Sequence, residues 1–155
     1  MSSAVAEARR VLRTGGLLLD IHPTDEPSHL EVWEAQYQGQ VERAEDLEAM
    51  SRVPVGQFDH DETLRDFTAA TDAVAEAMDG EHGFDLQRST TFDYRYFFDS
   101  LDELTDYLED EDYDSHASAS DALLERALAV MGQVKMTPKL VVVQKTVVTA
   151  LRKVS

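Results

Sequence analysis

Residues 7–20, Glu7-Ala8-Arg9-Arg10-Val11-Leu12-Arg13-Thr14-Gly15-Gly16-Leu17-Leu18-Leu19-Asp20, decide the fold. Before the glycines, Val5, Ala8, Val11 and Leu12 recur at near-helical spacing, which predicts a short helix over 3–13 with one apolar face. Gly15-Gly16 ends it, because glycine supplies the left-handed conformation that helix C-termini favour. Leu17-Leu18-Leu19-Asp20-Ile21 then reads as a strand apolar on both faces, as a sheet covered on both sides requires.

Working outward, Pro23 and Pro27 break the chain into a loop. The stretch 30–35 alternates and 37–41 does so more weakly, with Gln38-Gly39 between them, so a small hairpin is expected. Residues 46–50 suggest a helical turn, and Pro54-Val55-Gly56 reads as punctuation. Asp61 is the expected N-cap of a helix whose stripe is Leu64, Phe67, Thr68, Thr71, Val74, Ala75 and Met78. Residues 84–98 alternate as a long strand, with Phe92, Tyr94, Tyr96 and Phe98 on one face. Ser100 and Glu103 form a capping box that opens a helix through Leu104, Tyr107 and Leu108. After an acidic loop comes a helix with Leu123, Leu124, Ala127, Leu128 and Met131 inward, closed near Gly132. A β-branched strand over 140–148 ends the series.

The Arg-Val-Leu-Arg-Thr-Gly-Gly wording of residues 10–16, with the Leu-rich run behind it, resembles the segment leading into the fifth strand of class I S-adenosylmethionine-dependent methyltransferases (type 11-like). There a helix ending in Arg-Val-Leu meets a Pro-Gly-Gly or similar turn; Thr14 stands where proline is frequent. The family's strand order is 3-2-1-4-5-7-6, with strand seven antiparallel. The resemblance implies an α/β, partial Rossmann-like methyltransferase fold over 1–155 as one domain. Its sheet would be three-stranded and mixed, holding strands 5, 7 and 6, with a small hairpin and packed helices. The family's glycine-rich cofactor loop precedes this segment, and its pattern is missing from these residues. The expectation is therefore a C-terminal, substrate-side portion, inactive without a cofactor-binding half. S-adenosylmethionine belongs to the complete fold, and no cofactor is expected for this chain alone. The acceptor would be a small molecule. The edge of the strand at 17–21, having lost its neighbour, would pair with a second copy or a complementary half.

Composition narrows the alternatives. The net charge of −17 repels phosphate backbones and anionic lipid, which argues against nucleic-acid and membrane binding. No apolar run approaches the roughly 18 residues of a membrane span, and no secretory signal opens the chain, so a cytoplasmic setting is expected. With no cysteine there is no thiolate ligand or nucleophile. Arginine outnumbers lysine, aspartate outnumbers glutamate, and Ile21 is the only isoleucine. That bias suits a salt-loving host, whose short Debye length screens so many carboxylates, or a GC-rich genome, or simply an acidic mesophilic protein.

Asp20, His22, Asp25 and His29 cluster about the carboxyl end of the first strand, the end that faces ligands in open α/β sheets. His22 is the candidate catalytic base, since imidazole titrates near neutrality; alternatively it caps the loop at Pro23. Asp20, His29, Trp33, Tyr94 and Tyr96 are the candidate substrate-binding residues. The aromatic stripe could instead be one packed sheet face, and Trp33 either a lid contact or a satellite core residue. Residues 110–121 place carboxylates at positions 1, 3, 5 and 12 of a calcium-loop window, but with Ser115 where glycine belongs and Asp121 where glutamate belongs. They carry the alternative function, a stand-alone acidic binding domain dependent on calcium. Asp59-His60-Asp61-Glu62 reads as an acidic helix start rather than a metal cluster, and no metal site is expected.

Overall fold

The computed structural model describes residues 3–34, 50–59, 63–78, 83–109, 118–134 and 137–154. Along the chain these form α1 (Ser3–Val11), β1 (Leu17–Pro23), β2 (His29–Glu34), β3 (Ser51–Gln57), α2 (Thr63–Met78), β4 (Phe84–Phe98), α3 (Leu101–Glu109), α4 (Asp121–Met131) and β5 (Pro138–Lys153). The class is α/β with a five-stranded sheet in the order β1-β5-β2-β3, in which β4 also pairs with β5. The β1–β5, β2–β5 and β2–β3 ladders are antiparallel. Two side-chain contacts, Ser89 to Thr149 and Asp99 to Lys139, run in opposite senses along β4 and β5, so that pair is antiparallel too. The expected sheet of three strands thus becomes one of five, because β2, from the first arm of the expected hairpin, pairs with β5, and β3, from the stretch read as punctuation, pairs with β2.

The chain divides into two compact units. The first holds Met1–Glu26, Glu62–Tyr94 and Lys145–Ser155. In it the second half of β5 runs between β1 and the first part of β4. The turn into β1 needs both glycines for different reasons. Gly15 has φ +80°, which only glycine adopts without strain, and a Cβ on Gly16 would lie 2.8 Å from the Arg13 carbonyl oxygen. Gly15 N–H donates to the Lys153 carbonyl at 2.7 Å, which fixes the start of β1 against β5. The core joins Val5 of α1, Ala73, Val74 and Ala77 of α2, Phe84 and Leu151, with Leu12, Leu18 and Met78 packed on it.

α2 is rotated from the face its sequence suggested: Thr68, Thr71 and Ala75 are exposed, and alanines let the buried face approach its neighbours closely. β1 departs from expectation as well. Leu18 faces the helices, but Leu17, Leu19 and Ile21 are 52%, 63% and 63% exposed, so the strand is covered on one face only. β5 is longer than the 140–148 run, since Thr149, Arg152 and Lys153 break the apolar pattern while the ladder with β1 continues from Pro23↔Thr146 to Leu17↔Arg152.

The second unit holds Pro27–Asp61 and Arg95–Gln144. Here β2 lies between β5 and β3, and Leu30, Val32, Leu140 and Val142 face Leu104 of α3 and Leu123 of α4 in one core. Among the described residues β2 pairs with β3, with Glu31 opposite Pro54; the expected 37–41 arm and the turn at 46–49 lie outside the described residues. Pro54 and Gly56 sit inside a strand because β3 is a sheet edge among the described residues, where a missing N–H costs no ladder bond, and a bulge at Leu30/Glu31 absorbs the misfit. A Cβ on Gly56 would lie 2.8 Å from the Leu123 side chain, so the glycine lets β3 come close to α4. The cap of α3 forms as its sequence predicts: Glu103 N–H donates to Ser100 Oγ at 3.1 Å, and Glu103 Oε2 accepts from the N–H of Asp99 at 2.6 Å. In α4, Leu123 and Ala127 are buried, whereas Leu128 faces outward, contrary to the expected stripe. No described helix is long and apolar enough to cross a membrane.

Candidate functional site

The end of β1 in the first unit carries the strongest constellation. Alternation puts Asp20 and His22 on the face of Leu18, toward α2. His22 is buried, its Nδ1 2.5 Å from Asp20 Oδ2 and its Nε2 3.1 Å from Thr71 Oγ1 of α2. The Thr71 hydroxyl in turn donates to the Phe67 carbonyl at 3.1 Å. Both imidazole nitrogens are therefore engaged, one by the carboxylate and one by a hydroxyl 49 positions away in sequence. The triad of groups has the order of an acid, a base and a hydroxyl. Its hydroxyl, however, sits within a helix and bonds back to that helix, so it is held as a brace rather than presented to a ligand.

A brace of this kind has a measurable consequence. His22→Ala removes both bonds and leaves Asp20 and Thr71 without their partner, which is expected to lower stability by about 1–3 kcal/mol. Thr71→Val, at an exposed position, is expected to cost less. Urea unfolding of the two variants checks this; a His22→Ala protein as stable as the parent would show that the ring holds nothing together.

In the second unit, His29, Glu31 and Trp33 follow one another on one face of β2. Glu31 joins the two expected residues: its Oε1 lies 3.2 Å from His29 Nε2, and its Oε2 accepts from Trp33 Nε1–H at 2.6 Å. The Trp33 ring is fully buried beside Met50, Val141 and Val143. The Arg52 guanidinium, cross-strand on β3, lies 4.2 Å from the ring centroid, and that of Arg95 lies 5.5 Å away. Phe97 meets the ring edge-on at 5.6 Å. Trp33 is thus a satellite core residue. Glu31 was not among the sequence candidates, although the period-two spacing of His29, Glu31 and Trp33 was the signal that could have found it.

The remaining candidates separate. Tyr96 packs against Tyr107 at 5.4 Å between ring centroids, and Phe98 is buried in the same core. Tyr94 is exposed in the first unit. The stripe is therefore a packed sheet face at its end and solvent-facing before it. A surface hollow lined by Asp72, Ala75, Glu76 and Met78 of α2 includes none of the candidates. Among the described residues no group of three or more histidine, aspartate or glutamate side chains could hold a metal ion. The calcium-loop window lies outside the described residues over 110–117; Asp121 starts α4, where an acidic residue complements the helix dipole. Residues 60–62 of the acidic stretch also lie outside the described residues, and Asp59 is tied by a β-bridge to Ser118.

No protein-family model matches the sequence, and no curated protein and no solved structure is significantly similar to it.

Proposed function

We propose that these residues are the substrate-side, C-terminal portion of a class I S-adenosylmethionine-dependent methyltransferase fold, with β1, β5 and β4 as the family's strands 5, 7 and 6. The observation that carries the reading is the strand order. β5, last in sequence, lies between β1 and β4 and is antiparallel to both, as a 5-7-6 array with a reversed seventh strand demands. The helix–Gly15-Gly16–strand entry into β1 supports the same assignment. In this reading the His22 brace fixes the carboxyl end of β1, the end that would face the acceptor, and methyl transfer itself asks chiefly for alignment of acceptor and donor. S-adenosylmethionine would be held by glycine-rich structure that these 155 residues do not supply, and the acceptor in this reading would be a small molecule.

The absence of cysteine makes the strand order testable without background. Thr24 N–H donates to the Lys145 carbonyl, so alternation makes Ile21↔Val148 a pair without mutual hydrogen bonds, the closer-spaced kind. Ile21→Cys with Val148→Cys, and Ser89→Cys with Thr149→Cys, are each expected to close a disulfide under mild oxidation, read by loss of maleimide labelling. Ile21→Cys with Ser89→Cys, about 10 Å apart across β5, is expected to stay reduced. Closure of that third pair in place of the others would remove β5 from the middle and the assignment with it.

A further inference from the structure

One face of the three-strand array in the first unit has no cover among the described residues. Leu17, Leu19 and Ile21 share it, and their cross-strand partners on β5 are Arg152, Ala150 and Val148. The Ser89 hydroxyl meets Thr149, which is opposite Asp20 on the helix-covered face, so Arg88, Thr90 and Phe92 belong to the open one, whereas Phe84 at the start of β4 is buried in the covered core. Phe92 is 41% exposed. A sheet face this apolar is stable when another element buries it, and α1 and α2 already occupy the opposite side with Leu18 and Leu151.

The charges on this face decide what would cover it. In a chain of net charge −17, none of the positions just placed on it is a carboxylate. Two arginines stand there instead, Arg152 beside Leu17 and Arg88 on β4, both exposed. Neither forms an ion pair among the described residues. A second copy would set arginine against arginine. The complementary surface is an apolar stripe edged with carboxylates.

We propose that this face docks an acidic amphipathic helix of a partner polypeptide, its leucine-type stripe on Leu19, Ile21 and Val148 and its flanking carboxylates on Arg88 and Arg152. The inference stands on the sheet geometry and the local charge, and does not depend on the methyltransferase reading.

The test uses the full chain and two labelled helical peptides of about 18 residues, identical in their leucine stripe and flanked by glutamate in one and lysine in the other. Fluorescence anisotropy is measured at the lowest salt at which circular dichroism shows a folded protein. The glutamate peptide is expected to bind saturably and about tenfold or more tightly than the lysine peptide, against the sign of the overall charge. Arg88→Glu with Arg152→Glu, both exposed positions, is expected to reverse the preference, and Ile21→Ser to weaken the glutamate peptide about tenfold. A tighter lysine peptide, no saturable binding of the glutamate peptide, or a preference unchanged in the double variant would overturn the proposal. So would self-association that Ile21→Ser disperses, which assigns the face to a second copy. Flotation of the protein with phosphatidylserine vesicles would assign it to lipid instead and overturn the proposal equally.

Discussion

Trp33→Ala is expected to destabilise the protein by about 3–5 kcal/mol, more than any other single truncation considered. The ring is fully buried, and its removal opens a cavity between Met50 and the valines of β5. It also takes away the surface on which Arg52 and Arg95 lie and the edge contact with Phe97. Glu31 loses its indole donor but keeps His29, so the unpaired-carboxylate share of the cost is small beside the packing share. Trp33→Phe separates the two: it keeps most of the packing and gives up the N–H, and its cost is expected at about 1–2 kcal/mol. Urea unfolding followed by circular dichroism is the measurement, since the substitution removes the only tryptophan. For a domain whose whole stability is on the order of 5–15 kcal/mol, the alanine variant should be unfolded in a substantial fraction under mild denaturant. A cost below about 1 kcal/mol would mean that the ring is not packed as described.

Leu151→Ala is the second large effect, expected at about 2–5 kcal/mol. Leu151 is opposite Leu18 on the covered face, and its side chain is the point at which β5 meets Val5 of α1, Val74 of α2 and Phe84. Truncation loosens both helices from the sheet together, so amide exchange should accelerate through α1 and α2 before it does in the second unit. Leu19→Ala is the control, on the residue next to Leu18 and on the opposite face of the same strand. Its side chain is mostly exposed, and its cost is expected within about 0.5 kcal/mol. Equal costs at the two positions would contradict the assignment of covered and open faces.

Local signals in the sequence located several elements and missed most of the pairings. Phe84–Phe98 was readable because eight of its fifteen residues are β-branched or aromatic and none is glycine or proline. The cap of α3 was readable because both of its partners lie within one helical turn. The β2–β3 ladder was not, since Pro54 and Gly56 look like a turn when read alone and only their edge position makes them tolerable in a strand. The buried face of α2 was misjudged because alanine and threonine differ little in apolar pattern, and contact with α1 and β1 decides which of them goes inward. At the candidate site, Asp20 and His22 announced each other by spacing, whereas Thr71 belongs to a different element and left no trace near them. Glu31 had a legible position beside His29 and Trp33 but looked like one more solvent-facing acid in an acidic chain.

The functional reading makes one demand that chemistry can check directly: a 5-7-6 portion of a methyltransferase fold has no cofactor site of its own. Calorimetric titration of the purified 155-residue chain with S-adenosylhomocysteine, in molar salt to screen its carboxylates, measures this. No saturable heat is expected. Saturable binding at micromolar concentration would place a complete cofactor site within these residues and contradict the 5-7-6 assignment.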